Sequence, residues 1–128
     1  MTISVASSGV GDILNDSQNR VLYLFKKDTG TKSACFDMCA RNWPPVRATG
    51  KPAAGSGANA SLISTIKRSD GAPQVTYNGH PLYLYVGDDH PGAIKGQGLT
   101  AFGATWYVVS PQGNQVTGKS TAAPRYGY

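Results

Sequence analysis

Leu22-Tyr23-Leu24-Phe25-Lys26-Lys27-Asp28 returns sixty residues later as Leu82-Tyr83-Leu84-Tyr85-Val86-Gly87-Asp88. Four of the seven positions are identical, and Phe25 matches Tyr85 in kind. A tryptophan follows each copy, Trp43 fifteen residues after Asp28 and Trp106 eighteen after Asp88. Each opens a short extended run, Pro44-Pro45-Val46 and Tyr107-Val108-Val109. A heptad and a tryptophan recurring in the same order read as an internal duplication.

Within each heptad the aromatics stand two apart and so do the leucines. In an extended strand that spacing sends the aromatics to one face and the leucines to the other. A strand apolar on both faces lies between two layers. Asp28 and Asp88 fall where these strands should end, and a short carboxylate there accepts backbone N–H groups of the following turn.

Working outward, turn signals are dense. Val75-Thr76-Tyr77, Asn78-Gly79 and Leu82 to Tyr85 read as a hairpin with a type I′ turn. Leu62 to Ile66 and Gln74-Val75 predict another hairpin, turning at Ser69-Asp70-Gly71. Residues 13–25 predict a third, turning near Asp16 to Asn19, and Val109 to Val116 a fourth around Pro111 to Gly113. Thr2 to Ala6 reads as an edge strand. One short helix is expected near 34–42, with Ser33 as its cap and Pro44 as its stop. Lys51 to Ala60 is small and flexible in composition. Gly118 to Tyr128 reads as a loosely held tail.

The expectation is a single, mainly β domain of 128 residues. Two pseudo-repeated β units, about 12–47 and 61–110, form a small barrel or sandwich and are joined by a linker over 48–60. Sixteen glycines, eight prolines and the absence of glutamate favour strands and turns over surface helices. The formal charge of +5 is spread over both halves. Lys26-Lys27 and Lys67-Arg68 are the basic doublets, read as solvated surface, and no element gathers the charge as nucleic-acid binding requires. No apolar run approaches the ~20 residues that cross a bilayer, and Met1 to Ser8 has no signal-peptide character.

Tyr23-x-Phe25-x-x-Asp28 and Tyr83-x-Tyr85-x-x-Asp88 both fit Tyr-x-(Phe/Trp/Tyr)-x-x-Asp. Between them runs Ser33-Ala34-Cys35-Phe36-Asp37-Met38-Cys39-Ala40-Arg41-Asn42-Trp43-Pro44-Pro45. Arg68-Ser69-Asp70-Gly71, Tyr77-x-Gly79-x-Pro81, Asp88-x-x-Pro91-Gly92, Gly96-x-Gly98 and Trp106 follow in order. Together they resemble the bacterial secreted-repeat lipoproteins with the Yx(FWY)xxD motif. The resemblance implies an exported protein, often lipid-anchored in its precursor, of a family without an established biochemical activity. This chain lacks an export signal and a lipobox cysteine, as a mature form would.

Three readings compete for Cys35 and Cys39. Export favours a disulfide, although a regular helix holds i and i+4 Cβ atoms about 6 Å apart against the ~3.8 Å a disulfide prefers, so the turn must be distorted. A soft-metal site is the second: two thiolates suit Cu(I), with Met38, His80 and His90 as further ligands. A thiol redox centre is the third, though C-x-x-C and a βαβ pattern are both missing. Asp88, Asp89 and His90 form a weaker hydrolase candidate. Tyr23, Phe25, Trp43, Tyr83, Tyr85, Trp106 and Tyr107 make either two pseudo-symmetric mini-cores or a cleft for a planar ligand, sugar or peptide. The functional expectation is a non-enzymatic extracytoplasmic envelope module without a cofactor, its partner an envelope protein or small ligand. The alternative is a copper-binding or electron-transfer accessory.

Overall fold

A computed structural model describes residues 1–29 and 32–117. The expected tail from Gly118 onward lies outside the described residues. The strands are β1 (Thr2–Ser8), β2 (Gly11–Asn15), β3 (Tyr23–Phe25), β4 (Ala53–Ala54), β5 (Ile63–Lys67), β6 (Pro73–Tyr77), β7 (His80–Pro81), β8 (Thr100–Ala101) and β9 (Ala104–Val108). They form three sheets of three strands, ordered β2-β1-β4, β3-β9-β8 and β5-β6-β7. The result is sandwich-like and all-β rather than a closed barrel.

The two halves are built alike. β1 and β2 form an antiparallel hairpin, as do β5 and β6. Leu22 N–H then donates to Leu14 C=O at 3.2 Å, and Leu82 N–H to Val75 C=O at 3.0 Å. The heptads meet at their equivalent tyrosines: Tyr23 N–H donates to Tyr83 C=O at 2.8 Å and Tyr83 N–H to Tyr23 C=O at 2.9 Å. Such a reciprocal antiparallel pair between equivalent residues is a local two-fold relation.

Each heptad also borrows its second neighbour from the other repeat. β3 pairs with β9, Phe25 opposite Trp106 and Tyr23 opposite Val108. In the mirror arrangement Leu84 N–H donates to Pro44 C=O at 2.8 Å and Val46 N–H to Leu82 C=O at 2.9 Å. The repeats are therefore intertwined within one chain.

The face alternation expected from the heptads holds. Tyr23, Phe25 and Tyr83 enter one core cluster with Cys35, Cys39, Trp43, Trp106, Ile13 and Val108. Leu22, Leu24 and Leu82 enter the other with Ile3, Leu14, Val46, Val75, Tyr77 and Val109. Asn78 (φ 51°) and Gly79 (φ 79°) are both left-handed, as a type I′ turn demands.

Several expectations need correction. The helix α1 covers Met38–Asn42 only, because Asp37 adopts a left-handed φ of 54° and breaks the chain from Ser33 onward. β1 is central in its sheet, since Ala53–Ala54 of the expected linker pairs with it in parallel. The expected 109–116 hairpin does turn back around Pro111 to Gly113, closed by an antiparallel bridge of Val109 with Gln115 and by the bonds Ser110 N–H to Asn114 C=O and Val116 N–H to Val108 C=O, without a longer ladder. After Pro81 the second heptad continues through single bridges from Tyr83 rather than a regular ladder.

Candidate functional site

The signature residues converge at the pseudo-two-fold relation. The Tyr23 hydroxyl donates to Asp88 Oδ2 at 2.6 Å, and the Tyr83 hydroxyl to Asp28 Oδ2 at 2.8 Å. The other oxygen of each carboxylate holds the loop that follows its own strand. Asp28 Oδ1 accepts from Ala34 N–H and Asp88 Oδ1 from Lys95 N–H, both at 2.7 Å. The turn role expected for the aspartates is thus half of their work. The other half is gripping the opposite repeat's tyrosine.

Burial governs the electrostatics. Desolvation raises the Asp28 carboxyl to about 6, opposed by Ala34 N–H, the Tyr83 hydroxyl and the Arg68 charge. Asp88 is raised for the same reason, against its bond from Tyr23. Both phenols are pushed well above their ordinary value, by burial first and the neighbouring carboxylate second. Ser33 Oγ lies 2.6 Å from the Tyr83 hydroxyl while Arg68 Nη1 (3.0 Å) and Cys35 N–H (3.3 Å) donate to it. With both donors on Ser33 Oγ and a phenol held protonated, no base among the described residues is seen to activate the serine as a nucleophile.

Four rings stack through the centre in the order Phe25, Trp106, Trp43, Tyr85. Their centroids are 3.9, 3.9 and 4.2 Å apart, with interplanar angles of 8°, 4° and 22°. Tyr23 meets Trp43 edge-on at 5.4 Å and Tyr83 meets Trp106 edge-on at 5.1 Å. The two mini-cores expected from the repeat are therefore one continuous stack. Trp43 and Trp106 are buried, which closes the middle of the stack to a planar ligand, while its Tyr85 end borders a depression of about 200 Å³.

Cys35 and Cys39 are joined as a disulfide, their Cα atoms 5.2 Å apart. Cys35 lies before α1 and the Asp37 kink separates the two cysteines, so the bridge does not span a regular helical turn. The remaining copper candidates are scattered. Met38 is 57% exposed, its sulfur 3.7 Å from Arg41 Nη1. His80 is half-buried, its pKa lowered by burial and then by the Lys26 charge. His90 is exposed, with Nδ1 2.8 Å from Asp89 Oδ1, and Lys95 Nζ shares that oxygen at 3.1 Å. Among the described residues no three His, Cys, Asp or Glu side chains gather as a metal set. The hydrolase candidates Asp88, Asp89 and His90 border one depression of about 270 Å³, in which both Asp88 oxygens accept from Tyr23 and Lys95 N–H while Asp89 and His90 are exposed.

Sequence reasoning missed Arg68, Ser33 and Gln74. The Lys67-Arg68 doublet is not uniformly surface: Lys67 is exposed, but the Arg68 side chain is 1% exposed. Its Nη1 donates to Gln74 Oε1 at 3.0 Å as well as to Ser33, its Nη2 to Cys35 C=O at 2.6 Å, and its Nε to Asp70 Oδ2 at 3.2 Å. Its guanidinium carbon stands 4.6 Å over the Phe36 ring. A charged residue at a hairpin turn carries no burial signal. The available hint is that Arg68-Ser69-Asp70-Gly71 belongs to the resemblance.

Two β units related by a local two-fold, welded by reciprocal tyrosine–aspartate bonds and an aromatic stack, define a duplicated β module. The profile of a family described as a secreted repeat of unknown function matches residues 4–47 and 64–110, one repeat each, and the chain belongs to that family. No curated protein and no solved structure matches it. Among the described residues no helix is long and apolar enough to cross a membrane.

Proposed function

We propose that this chain is a non-catalytic binding module of the bacterial cell envelope, extracytoplasmic in place. One observation carries the reading: the polar groups of the signature are consumed inside the protein. Both oxygens of Asp28 and of Asp88 accept from protein donors, and the phenols that serve them are held protonated. A group so occupied positions loops; it does not transfer protons to a substrate. The secreted character of the family and a disulfide, which persists in oxidising compartments, support the location.

Recognition then falls to the surface. Three depressions of about 200, 420 and 270 Å³ meet at Arg20, bordered by Pro44, Leu84, Asp88 and Asp89. The test is co-sedimentation of oxidised protein with purified wall material and with membrane vesicles, run beside chromogenic ester, phosphate and glycoside substrates. Saturable binding without turnover is the expected result. Turnover abolished by Asp89→Ala or His90→Ala would overturn it.

A further inference from the structure

A pocket of about 360 Å³ is lined by Lys32, Ser33, Lys67, Arg68 and Ser69. That volume lies within the range of about 300–1,000 Å³ common to small-molecule sites. Its lining is three cations and two hydroxyl residues, without a carboxylate. Among the described residues neither Lys32 nor Lys67 is in an ion pair. The nearby acids are spoken for: Asp70 accepts from Arg68 Nε and Ala72 N–H, and Asp28 from Tyr83 and Ala34. An ammonium group whose neighbouring acids are already bonded elsewhere is available to an incoming anion.

The floor is rigid. Arg68 is held by Ser33, Gln74, Asp70 and the Cys35 carbonyl and lies over Phe36. The disulfide fixes the segment that carries that carbonyl. The feature also breaks the pseudo-symmetry. Ser4 pairs with Asn15 in β1–β2 and Ser64 with Thr76 in β5–β6. That register places Ser8 where the second unit has Arg68, and Ile13 where it has Gln74. A buried arginine–glutamine pair thus occurs in one half and a serine and an isoleucine in the other, so building the fold does not by itself require it.

Resting on the binding function above, we propose that this pocket receives a phosphoryl group of an envelope ligand. A phosphate presents several charged oxygens in a tetrahedral array. It can therefore meet two ammonium groups from opposite sides together with a serine hydroxyl, which a planar carboxylate does less completely. Lys32 and Lys67 supply the charge, Ser69 a hydroxyl, and Arg68 the fixed positive floor. Binding weakens as salt rises, because both lysines are exposed to screening.

The test is an amide chemical-shift titration of the oxidised protein with inorganic phosphate and with glycerol 1-phosphate. Expected are saturating shifts confined to residues 32–34 and 67–70, complete by about 10 mM. Lys32→Ala/Lys67→Ala should weaken binding about tenfold, whereas Lys26→Ala/Lys27→Ala, which removes equal charge elsewhere, should leave it unchanged. All four lysine side chains are exposed, so neither double variant threatens the fold. Shifts spread over many lysines, equal losses in the two variants, or no saturation would each overturn the pocket. Envelope binding that survives Lys32→Ala/Lys67→Ala would sink this site and leave the module reading standing. Displacement of glycerol 1-phosphate by polyglycerol phosphate marks a wall polymer as the source, and displacement by phosphatidylglycerol vesicles a lipid headgroup. Displacement by neither marks a small phosphorylated ligand.

Discussion

Tyr23 and Asp88 stand sixty-five residues apart in the chain and 2.6 Å apart in the fold, phenol to carboxylate. Tyr83 and Asp28 repeat the bond in the opposite sense at 2.8 Å. The tyrosine and aspartate of one signature copy therefore never serve each other. Each reaches across the local two-fold, and the pattern repeated in the sequence is half of a reciprocal clamp.

The clamp is measurable by double-mutant cycles. Tyr23→Phe strips the hydroxyl from Asp88 and from Gly96 N–H, which donates to it at 3.1 Å. Leaving these groups unpartnered should cost about 1–3 kcal/mol in urea unfolding. Tyr23→Phe should couple to Asp88→Asn by about 1 kcal/mol or more, and to Asp28→Asn by less than about 0.5 kcal/mol. Coupling within one repeat in place of coupling across them would refute the clamp.

Asp28 gives the pH dependence a sign. Its carboxyl is raised from 3.8 to about 6 by burial, so the folded state binds the proton more tightly than the unfolded chain does. Its contribution is fully present below pH 3.8 and is lost as pH rises through 6. Asp70 and Asp89, held low by hydrogen bonds, contribute in the opposite sense. The stability difference between wild type and Asp28→Asn isolates the buried group. The unfolding free energy of wild type minus that of Asp28→Asn should fall steadily from pH 4 to 7 in urea titrations, and a rise over the same range would contradict the assignment.

The disulfide closes a short loop, worth about 2 kcal/mol in the chain-entropy account. Intact-mass analysis should show no alkylation until reduction and two alkylated thiols after it. Cys35→Ser/Cys39→Ser should unfold at lower urea while keeping the near-ultraviolet signal of the stacked tryptophans. The oxidised protein should carry no stoichiometric copper, since the disulfide removes the two thiolates and Met38, His80 and His90 are scattered. One copper per chain after purification under oxidising conditions would revive the metal reading.

Gly96 is required by close approach. A Cβ there would lie 2.8 Å from Trp43 Cη2 and 3.0 Å from Tyr23 Cε2. Gly96→Ala should destabilise by about 1–3 kcal/mol through overpacking of the stack. Gly71→Ala is the informative comparison: its Cβ would meet nothing, leaving only the strain of its φ of 90°.

Phe102 sits at the tip of the β8–β9 hairpin with φ 57° and is 41% exposed. A bulky residue in the left-handed region costs about 1–2 kcal/mol, and asparagine less. Phe102→Asn should therefore raise the melting temperature. An unchanged or lower value would show that the ring makes compensating contacts.

Much of this was legible in the chain because it depends on residues close together in it. The alternation of aromatics and leucines in 22–25 and 82–85 sorts them onto two faces through strand geometry alone. Asn78-Gly79 carries its turn type in its own backbone preferences. The cysteine pair was visible, but the kink at Asp37 that lets it close was not, because its φ of 54° and ψ of −119° lie outside the left-handed helical region that aspartate readily enters, and no local residue preference signals them. Arg68 was misjudged because its burial depends on Ser33 and the Cys35 carbonyl from one stretch of chain and Gln74 from another, the first more than thirty residues away.

The sequence by itself determined that there are two β units, which face of each heptad is aromatic, and where the turns and the cysteine pair lie. Only the tertiary structure decided which tyrosine serves which aspartate and which tryptophan strand flanks which heptad. The reason is degeneracy: each repeat carries a tyrosine, an aspartate and a tryptophan, so pairing within a repeat and pairing across repeats are chemically alike. What separates them is the way the chain brings Tyr23 and Tyr83 into one reciprocal antiparallel pair, from which the crossed bonds and the shared aromatic stack follow.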